Sequence, residues 1–351
     1  MALTQSQRSL IERARSAGGG QQGIALDEAA CAYLINVIAR DLGFLDHFPA
    51  VSIDLPPFFE ALPDTLKTSP GTLTSDFERL FSLDSNADTY FACLAALHKS
   101  RLKYERILQT QPIPTIDQIG PRGLLQYGHL TPKALTGFLF WRKWMYDIDN
   151  RSAQETGYLF EPIIASAIGG VPYSAARSPI RRQGDSSRGR QVDCVRDTRA
   201  YEIKLRITIA ASGQGRWGEE LQFPADCVSS GYTPVLVVLD STPNAKLHQV
   251  EAAFRAQSGE VYKGQEAWNH LEGLAGTTMA FFLRRYVHEP IQTLLSEVPD
   301  TLPELVLRME ANQLVITVDG EVFAIERTRQ GSESTEVDPL PFDVDDQLPG
   351  L

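Results

Sequence analysis

The chain has 351 residues, 43% hydrophobic and 22% charged, which leaves room for one large or two modest globular domains and supplies no apolar run long enough to span a bilayer. Its four cysteines, Cys31, Cys93, Cys194 and Cys227, form no CxxC pair and have no histidine at finger-like spacing beside them, which argues against structural zinc and suits free thiols in a reducing compartment. The net charge of −11 argues against a nucleic-acid partner only until it is located: residues 330–351 alone carry −6, whereas residues 177–216 hold ten basic and four acidic side chains, a local +6.

The N-terminal MALTQSQRSLIERARS lacks the apolar run of a secretory signal, so a cytoplasmic location is expected. Residues 1–110 read as a helical region. A helix opening at Asp27 has apolar residues at three- and four-residue spacings and a plausible N-cap. Residues 51–75, rich in proline, read as loops and turns, and a second helix starts near Ser85. The stretch 111–123 reads as a linker opening the core, 111–328. A helix over 131–148 has Thr131 as cap and Pro132 in its first turn. Ser152 to Glu155 is a capping-box pattern, predicting a separate helix to about 168, kinked at Pro162 and ended by Gly169-Gly170. Residues 177–190 read as a Gly/Ser-containing loop with Arg177, Arg181, Arg182, Arg188 and Arg190, either tracking phosphates or simply solvated. From 190 the period becomes two: QVDCV and AYEIKLRITIA are strands. A helix over 216–230, a buried strand at 233–240 and a hairpin turning at Ala311-Asn312 follow. Residues 329–351 read as an acidic, disordered tail. The fold class is therefore α/β, a mixed central sheet flanked by helices, with a helical N-terminal region.

The strand pair carries the chemistry. A two-residue loop at Asp197-Thr198, or a four-residue loop at 196–199, pairs Arg196 with Arg199 and, counting back, Asp193 with Glu202; a bulge would shift that register. Lys204, two residues beyond Glu202, joins the same face. Val192, Cys194, Tyr201, Ile203, Leu205, Ile207 and Ile209 point the other way, predicting an apolar face behind and an acid–acid–lysine set in front. Two adjacent carboxylates repel when ionised, and a hard divalent cation such as Mg²⁺ resolves that and can activate a water for attack on a phosphodiester. Lys204 would orient or help deprotonate the water, or steady the developing charge. An exposed cross-strand ladder of lysine and carboxylates is the structural alternative.

The arrangement D-x8-E-x-K on a hairpin, followed by a helix and a buried strand, resembles the PD-(D/E)xK nuclease superfamily over about residues 150–240, with Val192 where the motif name has proline. The resemblance implies a restriction-endonuclease-like core, Asp193 and Glu202 as metal ligands, and Lys204 as the catalytic lysine. Superfamily members often add a glutamate from the preceding helix; Glu161 fits that role, with Glu155 as competitor. The segments ETGYLFEPIIASAIGG, RQVDCV…AYEIKLRITIA and GQGRWGEELQFPAD look most like ApaLI-type restriction endonucleases. That similarity implies a Mg²⁺-dependent type II enzyme, a homodimer cutting double-stranded DNA at a short palindrome, with GTGCAC the first sequence to test and a cognate DNA methyltransferase in the same system. Arg206, Gln214 and Arg216 join the loop arginines Arg181, Arg182, Arg188 and Arg190 as candidate DNA contacts. Glu219, Glu220 and Gln222 could support the metal site or be ordinary first-turn helix residues, and Trp217 is expected to pack. A repair or recombination nuclease of the same superfamily, or a non-catalytic DNA-binding module, are the rivals. No GxxxxGK[ST], HExxH or GxSxG occurs, and the six histidines form no ligand spacing.

Overall fold

The computed structural model describes residues 2–17, 23–48, 55–205, 214–240, 245–297 and 299–328; for 214–216 it describes the backbone alone. In chain order it contains α1 (Gln5–Arg15), α2 (Glu28–Asp41), α3 (Leu73–Leu83), α4 (Ala87–Thr110), the short α5 (Ile116–Ile119) and α6 (Pro132–Ala167). Then come β1 (Val171–Tyr173), β2 (Arg181–Arg182), β3 (Asp185–Gly189), β4 (Val192–Arg196), β5 (Arg199–Lys204), α7 (Gln214–Ser229), β6 (Thr233–Val238), α8 (Ala245–Ala256) and β7 (Glu260–Lys263). The chain closes with α9 (Gln265–Leu283), α10 (Glu289–Ser296), β8 (Leu305–Glu310), β9 (Gln313–Val318) and β10 (Glu321–Glu326). The class is the expected mixed α/β, with helices preceding the sheet.

Two compact units divide the chain. Among the described residues, one comprises those up to 99 and from 157 to 295; the other comprises 100–156 and those from 296 to 328. In the first, α2 opens as its sequence predicts: the Asp27 carboxylate accepts from Ala30 N at 2.7 Å, satisfying one of the helix's free amides. Tyr33, Leu34, Val37 and Ile38 are fully buried, as are Tyr90, Phe91 and Leu94 of α4. Burying each such side chain contributes about 1.5–3 kcal/mol against the entropy of ordering it.

The central sheet runs β1-β4-β5-β6-β7. β1, β4 and β5 are antiparallel neighbours, while β5, β6 and β7 are parallel, so α7 and α8 serve as crossovers. The β4–β5 hairpin turns in two residues, with Asp197 in the left-handed region at φ +53, which aspartate tolerates better than most side chains. Its register is the expected one: Arg196 faces Arg199, Val195 faces Ala200 and Cys194 faces Tyr201. The expected one-sided burial needs correcting. Cys194, Tyr201 and Ile203 are indeed buried, and Tyr201 meets His270 of α9, but Val192 packs in the cluster on the other face. The opposite face is also covered, because Ala200, Leu236 and Val238 pack against Phe223 and Cys227 of α7 and Leu247, Val250 and Phe254 of α8. Parallel strands joined by helical crossovers are buried on both sides. Ile207 and Ile209 lie outside the described residues.

Other local expectations are revised. Residues 132–167 form one helix, not two. Ser152 is interior to it, its carbonyl accepting from Thr156 Oγ1, and Glu155 pairs with Lys103 at 2.9 Å instead of capping. Nothing in Ile148-Asp149-Asn150-Arg151 breaks a helix, and Pro162 removes a single backbone donor. Gly169, at φ +71, ends α6 as expected. Gly170 must be glycine, since a Cβ there would stand 2.1 Å from Cys194 Sγ. The expected loop at 177–190 contains the ribbon β2–β3. In the second unit, β8, β9 and β10 form an antiparallel meander, and the stretch read as one strand over 313–325 turns at Asp319-Gly320. Trp144 of α6 packs there with Leu314 and Ile325. No described helix is long and apolar enough to cross a membrane. The acidic tail lies outside the described residues.

Candidate active site

The hairpin ladder pairs as far as Cys194 with Tyr201, and one step further the same register would put Asp193 across from Glu202. The Asp193 side chain reaches over β5, where Oδ2 accepts from the Ile203 amide at 2.8 Å. Lys204, on the same face, donates from Nζ to Glu202 Oε1 at 2.6 Å. Both lie beside Leu236 and Val238 of β6, toward the C-terminal end of the parallel strands. Glu161, near the end of α6, brings a third carboxylate into the same field.

The electrostatics tie the four groups together. Burial pushes the Glu161 carboxyl up to about 7, with Lys204 opposing and Glu202 adding to the shift. Burial also raises Asp193 well above the usual carboxylate range, reinforced by repulsion from Glu202 and Glu161 and countered by Lys204 and the Ile203 amide. Burial alone would lower Lys204, but attraction to Glu202 and Asp193 outweighs it, so the ammonium is held more firmly than in water. Glu220 of α7 is raised by burial, with Lys204 opposing and Glu202 adding. Acidic groups thus outnumber the single lysine, and the cluster holds protons in place of a missing positive charge.

That deficit, and a donor set made of carboxylate oxygens, fits a hard divalent cation bound by two or three carboxylates with water completing its shell. Among the described residues no three acidic, histidine or cysteine side chains stand as a ready-made coordination set. The fit therefore rests on charge and donor chemistry, not on a preformed cage.

Of the candidates, Asp193, Glu202, Lys204 and Glu161 come together. Glu155 does not, being paired with Lys103. Glu219 instead accepts from Arg182 at 2.9 Å, and Gln222 is exposed, so Glu220 is the member of that trio electrostatically tied to Lys204. Arg181 and Arg188 are exposed. Arg190, expected in a solvent-facing loop, is buried: Nη1 donates to Asp226 Oδ2 at 2.6 Å and the guanidinium lies over Phe223. Its partner sits on a later helix, so no local pattern marks it. Arg206 and the side chains of Gln214 and Arg216 lie outside the described residues. Trp217 packs on the core, with Lys246 Nζ 5.2 Å from its ring centroid. Sequence reading passed over Lys263, which ends β7 beside Val238 and holds Glu251 at 2.8 Å. Its only signal was its place at the end of a short strand.

Comparison with known proteins bears on these groups. The family described as ApaLI-like restriction endonuclease matches residues 54–288, a span that contains the whole cluster. A type II restriction enzyme, ApaLI of Acetobacter pasteurianus, is 45% identical over 343 residues, covering 90% of this chain and 92% of that protein. No solved structure gives a significant match.

Proposed function

Because the chain belongs to the ApaLI-like restriction endonuclease family, we propose that it hydrolyses both strands of duplex DNA at a short palindrome, using Asp193, Glu202, Lys204 and Glu161, with Mg²⁺ as cofactor. The observation that most supports this reading is the β4–β5 register, taken one step beyond Cys194 and Tyr201, together with the mutual electrostatic influence of Asp193, Glu202, Lys204 and Glu161. Held by Asp193, Glu202 and Glu161, Mg²⁺ would supply Lewis acidity and positive charge beside the scissile phosphate. Asp193 is oriented for this by the Ile203 amide, and Glu202 by Lys204. The firmly held Lys204 ammonium supports a role in steadying charge on the phosphate oxygens over a role as base. Burial raises Glu161 to about 7 without the metal, so holding Mg²⁺ would require its ionisation near neutral pH. Exposed Arg181 and Arg188 would meet the DNA.

A palindrome has two-fold symmetry, which a homodimer matches. Supporting this, one compact unit leaves Leu124, Leu125, Tyr127, Leu130, Phe138 and Tyr146 exposed, apolar side chains that a second copy could cover. A cytoplasmic location and a methyltransferase that protects resident DNA at the same sequence complete the reading. Digestion of unmethylated phage DNA with Mg²⁺, followed by sequencing of the ends, tests it. Discrete ends at one palindrome, GTGCAC first among those to examine, are expected. Structure-dependent or end-dependent degradation would point instead to a repair nuclease.

A further inference from the structure

The ribbon β2–β3 is anchored along β2 and its turn, while β3 carries exposed side chains. The backbone of β2 and the turn is tied to α7 and to Ser230 just after it. Arg181 N donates to Ser230 Oγ at 2.9 Å, and Gln183 N donates to Asp226 Oδ1 at 2.7 Å. Arg190, just past β3, pairs with the other oxygen of Asp226 and also reaches the Glu219 carbonyl. Ile180, preceding β2, is fully buried in the α7–α8 core. Gly189 fits only as glycine, since a Cβ there would meet Ala175 O at 1.9 Å. The same helix α7 carries Glu220, whose charge Lys204 feels. One helix therefore links the ribbon to the acid–lysine cluster.

The side chains of the turn and of β3 are different. Residues 181–189 include no apolar side chain, so the ribbon adds nothing to a core. Its pairing is offset: Arg181 faces Gly189, but Arg182 faces Asp185, so Ser186, Ser187 and Arg188 bulge from one strand with no opposite residues. All three are exposed, as is Gln183 at the turn. Asp185 Oδ1 accepts from Ser187 N at 3.1 Å and from its hydroxyl, which fixes the bulge. A cationic, wholly polar two-stranded ribbon has the width and donor set for the major groove, where arginine suits guanine and glutamine suits adenine. An apolar protein partner would find nothing there to bury.

We propose that the bulge Ser186–Arg188, with Gln183, reads base edges of the duplex, and that α7 keeps this reading element in fixed register with the acid–lysine cluster. The proposal rests on the nuclease reading above. The test uses the full-length protein on duplexes carrying the site mapped for the wild type and on duplexes with one base pair changed. Arg188→Ala and Ser187→Ala alter exposed side chains, so their melting temperatures should match the wild type. Arg188→Ala should cut the mapped site roughly tenfold or more slowly while cleaving altered sites at the wild-type rate, so that discrimination falls by the same factor. Ser187→Ala should shift discrimination in the same direction by a smaller factor. Unchanged discrimination in both variants would overturn the proposal. So would an equal loss on every sequence, with a shallower salt dependence, because that marks a phosphate contact only. A wild-type protein that cleaves no duplex in Mg²⁺ would overturn the nuclease reading and this proposal together, whereas the first two results leave that reading standing.

Discussion

At the scale of residues, Lys204 has a position that separates chemistry from binding. It is 2.6 Å from Glu202 and in the electrostatic field of Asp193. Lys204→Ala should therefore slow single-turnover cleavage by roughly a hundredfold or more while leaving affinity within a few-fold. A variant that loses affinity and keeps its rate would contradict the geometry. Glu161 gives a pH test. Its folded carboxyl titrates at about 7, above its ordinary value of 4.5, and Asp193 is raised in the same sense. The native state then binds more protons than the unfolded chain between those values, so the metal-free protein should lose stability as pH rises through that window. Mg²⁺ needs ionised ligands, so its stabilising effect should be small near pH 5.5 and grow toward pH 8. Thermal unfolding with and without Mg²⁺ across that range checks both trends, and Glu161→Gln should flatten them. A metal effect independent of pH would count against this assignment. Asp193, Glu202 and Lys204 were readable in the sequence because a two-residue hairpin fixes its register by counting, whereas Glu161 came only with the family resemblance. Arg190 was not, because the carboxylate that buries it lies on a different element.

At the scale of elements, the sequence disclosed strands better than helix boundaries. The run Thr233–Val238 read as a buried strand because nothing in it is charged, and the hairpin was found by its period of two. The false break before Ser152 arose because a capping-box pattern is also ordinary helix-surface composition. The turn at Asp319-Gly320 was overlooked although Asp-Gly is a strong hairpin signal; it has φ +46 and +88. The ribbon β2–β3 was hidden because its partners are on α7. Its buried Arg190–Asp226 pair makes a stability prediction. Asp226→Ala should cost about 3–5 kcal/mol, because it strands a buried guanidinium, while Arg190→Met with Asp226→Leu together should cost much less. Urea unfolding measures both, and a loss below about 1 kcal/mol for Asp226→Ala would show that the pair does not hold the ribbon.

At the scale of the molecule, net charge was a poor guide and its distribution a better one, since the basic stretch 177–216 includes the ribbon, the hairpin and the start of α7. The interleaved compact units left no trace in composition, because α4 and α6 each contribute residues to both without a break. The proposed homodimer makes its own prediction. Leu124 and Leu125 are 77% and 91% exposed, so replacing both with aspartate should leave folding intact and convert a dimer to a monomer in sedimentation. A wild-type monomer, or a variant that still dimerises, would place the interface elsewhere. The central claim, that Asp193, Glu202, Lys204 and Glu161 form one hydrolytic centre, is tested most directly by single-turnover cleavage of mapped duplex DNA by Asp193→Asn beside the wild type. Binding to the same duplex is titrated in parallel. Cleavage lost with binding retained is the predicted result; cleavage by Asp193→Asn near the wild-type rate would contradict it.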